Sequence, residues 1–167
     1  LPKPEVSLIQ ADDEDSRTEA SSLKAELVKL FGRISSVQTL SSKAWKAYAM
    51  LKRPKDDNVE EAEKYLQLLE RALLADSNQP NWSRDVDRCS SVLSSAIELA
   101  RERLRVASLK GDEAIKQAKS RVRMSLRTLA TIAKKEYGDQ NTQNNKEAAK
   151  IRSLLSEADG ILAEVAL

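Results

Sequence analysis

The sequence predicts an all-α protein, an antiparallel bundle of about five helices of unequal length. Apolar residues recur at spacings of three and four over most of the chain, which is the period of an amphipathic helix. No segment alternates apolar and polar residues as a half-buried strand would, and the 167 residues include only four Gly and four Pro. Because each predicted helix has one apolar stripe and short links, we expect the stripes to pack against one another.

The first 17 residues differ from the rest of the chain. They contain Pro2, Pro4 and an acidic run over residues 12–15, and they show no sustained apolar period. We therefore expect a flexible acidic N-terminal arm over residues 1–17. A single helical-bundle domain is expected over residues 18–167.

The strongest apolar stripe follows the arm and steps by three or four positions over four heptads. Its members are Leu23, Leu27, Leu30, Ile34, Val37, Ser41, Ala44, Tyr48 and Leu51. We predict one helix over about residues 18–53, with a length of about 50 Å, ended by Pro54 because proline disfavours the helical conformation of the residue before it. Ser41 is the odd member of the stripe. A tight helix crossing, a hydroxyl bonded back into the helix or a departure of the stripe from the core would each explain it.

Asn58 caps a second predicted helix, over residues 58–76, and carboxylates stand in its first turn. After a turn-rich break, a third stripe begins at Val86 and continues in phase past Gly111 to Ala133. Residues 83–137 are therefore either one helix of about 80 Å, which would make a four-helix bundle, or two helices. We predict a break at Gly111, because a glycine followed by Asp112 as a cap makes a compact hairpin.

A last helix is predicted beyond Gly138 and the polar residues that follow it. Its apolar stripe consists of Ala148, Ile151, Leu155, Ala158, Leu162 and Val165, widened by Leu154 and Ile161. A stripe of this width is typical of a helix that faces a core.

Two predicted hairpins share residue types with a known repeat. The first contains Ala44, Trp45, Tyr48, Ala49, Glu61, Ala62, Tyr65, Leu69, Ala72 and Leu73, and the second has Gly111, Asp112, Glu113 and Ala114 at its turn. Both hairpins resemble tetratricopeptide units, which are helix-turn-helix modules. The resemblance covers at most half of the chain, its spacings slip by one or more residues, and no fixed period follows. On these residues we assign the chain to no family.

Residue types exclude much of catalytic chemistry. Histidine is absent, which removes the commonest general base, the Ser-His and Cys-His nucleophile pairs and most catalytic zinc sites. Cys89 lies on the apolar stripe of the third helix, where we expect it to pack. The four glycines stand too far apart for a phosphate-binding loop. We expect no enzymatic activity, no cofactor and no metal.

The distribution of charge suggests a binding surface. The net charge is only +2, but residues 101–135 hold 11 basic and 3 acidic residues. Lys116, Lys119, Arg123 and Arg127, which we call the basic ridge, lie three or four apart and share one helix face. A basic ridge suits an acidic protein surface, anionic lipid or nucleic acid. The alternative is that it pairs internally with the acidic faces of the second and fifth predicted helices.

Trp82 is the second candidate, since it stands in a loop beside Pro80 and aromatic residues make up only 4% of the chain. A loop tryptophan either caps the end of a bundle or anchors a partner. Trp45, beside Ala44 and Tyr48, is expected at the edge of the core.

We therefore expect a non-enzymatic helical module, an adaptor or scaffold, that binds another macromolecule and above all a protein. The partner-binding candidates are Trp82, Lys116, Lys119, Arg123 and Arg127. A bundle on anionic membranes and a secreted or translocated effector that binds a host protein are the alternatives. Nucleic acid is disfavoured because no aromatic residues interleave with the basic ones.

Cellular location is not predicted. No apolar run approaches the length of a spanning helix, so we expect a soluble protein. Since the chain begins at Leu1 rather than Met, we expect that a preceding segment, which could carry a targeting signal, was removed or lies outside this sequence. The oligomeric state and the identity of the partner also stay open.

Overall fold

The computed structural model describes residues 13–33, 39–51, 59–138 and 146–166, and within these ranges the regular elements are all α-helices. They are α1 (Asp13–Phe31), α2 (Leu40–Leu51), α3 (Val59–Ser77), α4 (Val86–Ser108), α5 (Asp112–Tyr137) and α6 (Lys146–Val165). The all-α prediction is confirmed. The described ranges contain six helices rather than about five, because the predicted first helix is two.

The prediction of one helix over residues 18–53 is wrong. The first helix ends at Phe31, where Gly32 has φ +91° and donates its N–H to the carbonyl of Val28. Glycine adopts this left-handed conformation without the steric cost that other residues meet, and it commonly ends helices. The apolar period does not reveal the break, and the stripe members Ile34 and Val37 lie outside the described residues.

The first helix also begins earlier than predicted, at Asp13, inside the segment expected to be a flexible arm. The remainder of that arm, residues 1–12, lies outside the described residues, as does the predicted cap Asn58. Acidic residues in a first helical turn complement the positive end of the helix dipole, which favours a helix start at the acidic run.

The chain divides into two compact units, Leu1–Pro80 and Asn81–Leu167. Helices α1, α2 and α3 contact one another in the first unit, and α4, α5 and α6 do so in the second. The single domain expected over residues 18–167 stays a prediction.

The first unit is built around buried apolar side chains and a row of aromatic rings. Tyr48 on α2 is fully buried, and its ring centroid lies 5.5 Å from that of Trp45 and 5.7 Å from that of Tyr65 on α3. Trp45 is partly buried, in agreement with its expected place at the edge of the core. These tilted ring contacts connect the two helices more strongly than apolar area alone would.

The second unit is an antiparallel three-helix bundle. Tyr137, at the end of α5, donates its hydroxyl to the carbonyl of Arg84, just before α4, over 2.9 Å. Arg123, in the middle of α5, bonds to Val165 at the end of α6, whereas the later Lys134 pairs with the earlier Asp159, so α5 and α6 are also antiparallel. The largest fully buried apolar side chains are Val92, Leu93, Ile97, Val122, Leu126, Leu129, Ile151 and Val165. The predicted stripes therefore form one core in this unit.

The predicted break at Gly111 is confirmed. Gly111 has φ +124° and stands between the end of α4 and the start of α5 at Asp112. Gly111 itself is the N-cap residue, so Asp112 is not the cap that the sequence suggested. Its carboxylate lies in the first turn of α5, where it complements the helix dipole.

Candidate interaction surface

All four residues of the basic ridge lie on α5, as their spacing predicted. Lys116 and Arg127 are exposed, whereas Lys119 and Arg123 are partly buried. The side chains share one side of the helix, because residues three and four apart are neighbours on a helix surface. Their role in binding stays a prediction.

Arg123 makes a contact inside the second unit. Its guanidinium Nη1 donates to the carbonyl of Val165, at the end of α6, over 2.6 Å. The last carbonyls of a helix lack partners within the helix, and a positive charge complements the negative end of its dipole. Internal pairing, the alternative for the ridge, thus holds for Arg123, although the acceptor is a backbone carbonyl rather than an acidic side chain.

Lys134 continues the same side of α5 and was missed by the sequence argument. Its Nζ lies 2.7 Å from Oδ1 of Asp159 on α6. The signal was available, because Lys134 follows Arg127 by seven residues, or two helical turns. Both partners are about half exposed, so this ion pair stabilises the bundle only slightly.

The solvent-facing side of α5 also carries an exposed methionine. Met124 is 39% exposed, and it is one of three large apolar side chains that are exposed among the described residues. The apolar stripe of α5 does not include it. Sequence reasoning that followed the buried stripe therefore passed over Met124.

Trp82 lies in the turn before α4 and is buried, with 4% of its surface exposed. Asn81 has φ +60° there, and the N–H of Arg84 donates to the Asn81 carbonyl. Asparagine tolerates the left-handed conformation better than most residues. The burial of the indole agrees with the end-capping role rather than with an exposed anchor, and contact with a partner is untested.

The only cysteine of the chain is a buried thiol. Burial and the nearby carboxylate of Glu136 raise the pKa of Cys89 from 9.0 to about 12. Burial, with the charges of Cys89, Glu136 and Asp85, also raises the pKa of Tyr137 above its usual value of 10.0. Since the nucleophile is the thiolate, Cys89 is suited to packing and not to reaction near neutral pH.

A polar network in the first unit was not predicted. The carboxylate of Asp76, near the end of α3, accepts the N–H of Leu40 over 3.0 Å, the N–H of Ser41 over 2.8 Å and the Ser41 hydroxyl over 2.5 Å. The first N–H groups of a helix have no partner within the helix, so Asp76 caps α2 from a distant part of the sequence. Ser41 is polar because it begins a helix.

Other site types find little support among the described residues. No group of three or more His, Cys, Asp and Glu side chains there could hold a metal. None of the helices described combines the length and apolar character needed to cross a membrane.

An open depression of about 480 Å³ lies beside the end of α5, lined by Lys134, Gly138, Arg152, Leu155, Ser156 and Asp159.

The chain is similar over 98% of its length to the tetratricopeptide repeat-containing protein trd-1 of Caenorhabditis elegans, with 32% identity over 169 aligned residues. It spans only 22% of that protein's length. No family model matches the chain, and no solved structure matches it significantly. The repeat in the relative's name is the one that the two hairpins resemble, α2 with α3 and the turn between α4 and α5.

Proposed function

We propose that this chain is a non-enzymatic helical module that binds a protein partner. The observation that carries the proposal is its similarity, over nearly its whole length, to a tetratricopeptide repeat-containing protein. Such repeats are helix pairs that stack on their neighbours and present extended surfaces to other proteins. The two units, each a group of helices in mutual contact, are compatible with that architecture.

The basic side of α5 is the surface proposed to bind. Lys116 and Arg127 are exposed there, whereas Arg123 bonds to the backbone of α6. Positive side chains on a surface attract a partner with an acidic patch, increase the rate of encounter and disfavour basic partners. An acidic protein surface is therefore the expected complement.

Affinity capture with matched variants tests this proposal. The tagged wild-type chain serves as bait in a cell extract, beside two double variants. The ridge variant combines Lys116→Glu with Arg127→Glu, and the control combines Arg101→Glu with Lys150→Glu. All four positions are exposed, and the control residues lie on α4 and α6. We expect proteins that bind the wild-type chain and the control but leave the ridge variant, with binding that weakens as salt rises.

Two outcomes would contradict the proposal. Capture of no protein beyond that seen with the tag alone would remove the binding function. Sedimentation of the chain with phosphatidylserine vesicles, without capture of any protein, would assign the basic side of α5 to anionic lipid instead.

A further inference from the structure

We propose that the partner docks on the solvent-facing side of α5 around Met124, and that it presents an acidic segment with an apolar side chain. This inference rests on the proposed function and adds the centre of the site and the chemistry of its occupant. We call this surface the Met124 face, and it comprises Lys116, Arg121, Met124, Arg127 and Lys135.

The first argument is the charge of α5. Residues 114–135 contain seven basic residues and no acidic residue. Surface helices commonly balance charge through pairs of opposite sign three or four apart, but no such pair can form within this stretch. Arg123 and Lys134 have contacts on α6. Arg127 and Lys135 are exposed and have no acidic residue three or four positions away within the helix, so an acidic partner would supply the missing negative charge. Lys116 is also exposed, with Asp112 and Glu113 four and three positions before it.

The second argument is the position of Met124. The side chain is exposed and stands three residues after Arg121 and three before Arg127, so the two arginines flank it on the helix surface. A single exposed apolar residue is ordinary. A methionine flanked by two arginines offers a flexible thioether for an apolar contact, together with positive charges that orient a partner.

The Met124 face overlaps only in part with the basic ridge that the sequence predicted, since it shares the exposed Lys116 and Arg127 with the ridge but leaves out Lys119 and Arg123. Arg123 is partly buried and bonds to the end of α6, whereas its neighbour Met124 is exposed. From Lys116 to Lys135 the face extends over about 28 Å, at 1.5 Å per residue. That length accommodates a five-turn helix or an extended segment of about eight residues.

A protein segment fits this face better than a membrane or a nucleic acid does. Helices that lie on membranes carry a broad apolar side with large residues, whereas the described exposed side of α5 has one exposed large apolar residue. Binding to single-stranded nucleic acid usually employs exposed aromatic rings, and the one aromatic residue of α5, Tyr137, is buried.

A selection from displayed peptides tests the chemistry of the occupant. A random library of peptides about 16 residues long, enough for four helical turns, is selected on the immobilised chain. We expect enrichment of Asp and Glu around one or two large apolar residues. An enriched peptide is then titrated, by fluorescence anisotropy, against the wild-type chain and variants that retain its helical circular dichroism.

Three variants and one control measure the contribution of the Met124 face. Lys116→Glu with Arg127→Glu should weaken binding at least about tenfold, because two favourable charge contacts become repulsive. Met124→Ser should weaken it about fivefold, through lost apolar burial, and Met124→Leu should leave it nearly unchanged. The control, Arg101→Glu with Lys150→Glu, should stay within about twofold.

Several results would overturn the inference. One is failure to enrich any peptide, and another is enrichment of peptides without an acidic excess. A third is peptide affinity equal to that of the wild-type chain in Met124→Ser and in Lys116→Glu with Arg127→Glu. A fourth is binding to phosphatidylserine vesicles in place of peptides. If proteins captured by the wild-type chain also remain on these variants, the proposed function stands and the Met124 face is wrong. If no protein is captured, the proposed function itself fails.

Discussion

The carboxylate of Asp76 and the hydroxyl of Ser41 lie 2.5 Å apart, although 35 residues separate them in the sequence. The same carboxylate accepts the backbone N–H groups of Leu40 and Ser41, so one side chain of α3 holds the start of α2. Asp76 is only 6% exposed. Its loss would leave buried donors without an acceptor, which costs more than a single hydrogen bond contributes.

Replacement of Asp76 should destabilise the first unit. We expect Asp76→Ala to lower the free energy of unfolding by about 3 kcal/mol, and Asp76→Asn, which keeps one oxygen acceptor, by about 1 kcal/mol. Urea unfolding followed through the fluorescence of Trp45, in a Trp82→Phe background, would measure both. An unchanged midpoint for Asp76→Ala would show that the carboxylate does not hold α2.

Two arginines of α5 should differ in their effect on stability. Arg123→Ala removes the bond to the Val165 carbonyl and should lower the free energy of unfolding of the second unit by about 1 kcal/mol. Arg127→Ala, one turn later and exposed, should change it by less than about 0.5 kcal/mol. The fluorescence of Trp82, in a Trp45→Phe background, reports the transition. Equal effects of the two substitutions would contradict the internal role of Arg123.

The apolar period predicted the fold class and most helix positions, because burial of one stripe per helix is what drives these elements together. It could not locate the break at Gly32, since the stripe continues in phase beyond the glycine. The apolar period does not reveal the turn at Gly111 either, because the stripe continues in phase there as well. There the following aspartate and the implausible length of a single helix indicated the turn, and the structure confirms it.

The interaction surface was only partly predictable. Spacing placed the four cations of the basic ridge on one helix, but their exposure depends on how α5 is rotated against α6, which the sequence does not state. Arg123 thus bonds to the end of α6, while Met124 is exposed. The residues next to Trp82 in the sequence predict a loop there, but tertiary packing buries its side chain. The Asp76–Ser41 contact joins distant residues and has no local signal.

Two glycines should respond in opposite ways to alanine. Gly111→Ala would force a side chain into φ +124° and should destabilise the second unit by about 1–2 kcal/mol. Gly160→Ala lies within α6, where an added Cβ meets no atom within 4 Å, and should stabilise the unit by about 0.5–1 kcal/mol. Thermal unfolding by circular dichroism measures both, and a stabilising Gly111→Ala would contradict the described turn.

Stability should fall in alkaline solution because of Cys89. In the unfolded chain the thiol ionises as the pH passes its ordinary pKa of 9.0, whereas the folded chain keeps the proton up to a pKa of about 12. Between these values ionisation favours the unfolded state, so the free energy of unfolding falls by up to about 1.4 kcal/mol per pH unit. The raised pKa of Tyr137 acts in the same direction above pH 10.0.

Urea unfolding at pH 8 and pH 10.5 would test this dependence, with Cys89→Ala as the control that should show a smaller decrease. At pH 8 the native thiol should react with a disulfide reagent far more slowly than the thiol of the urea-unfolded chain. A native thiol that reacts as fast as the unfolded one would show that Cys89 is accessible.

The position of the binding surface is tested most directly by nuclear magnetic resonance. Backbone amide signals of the isotope-labelled chain are followed during titration with the enriched acidic peptide. The Met124 face predicts that the largest shifts cluster between residues 116 and 135 of α5 and disappear in the Lys116→Glu, Arg127→Glu variant. Shifts confined to other helices, or unchanged by that variant, would contradict the proposed docking surface.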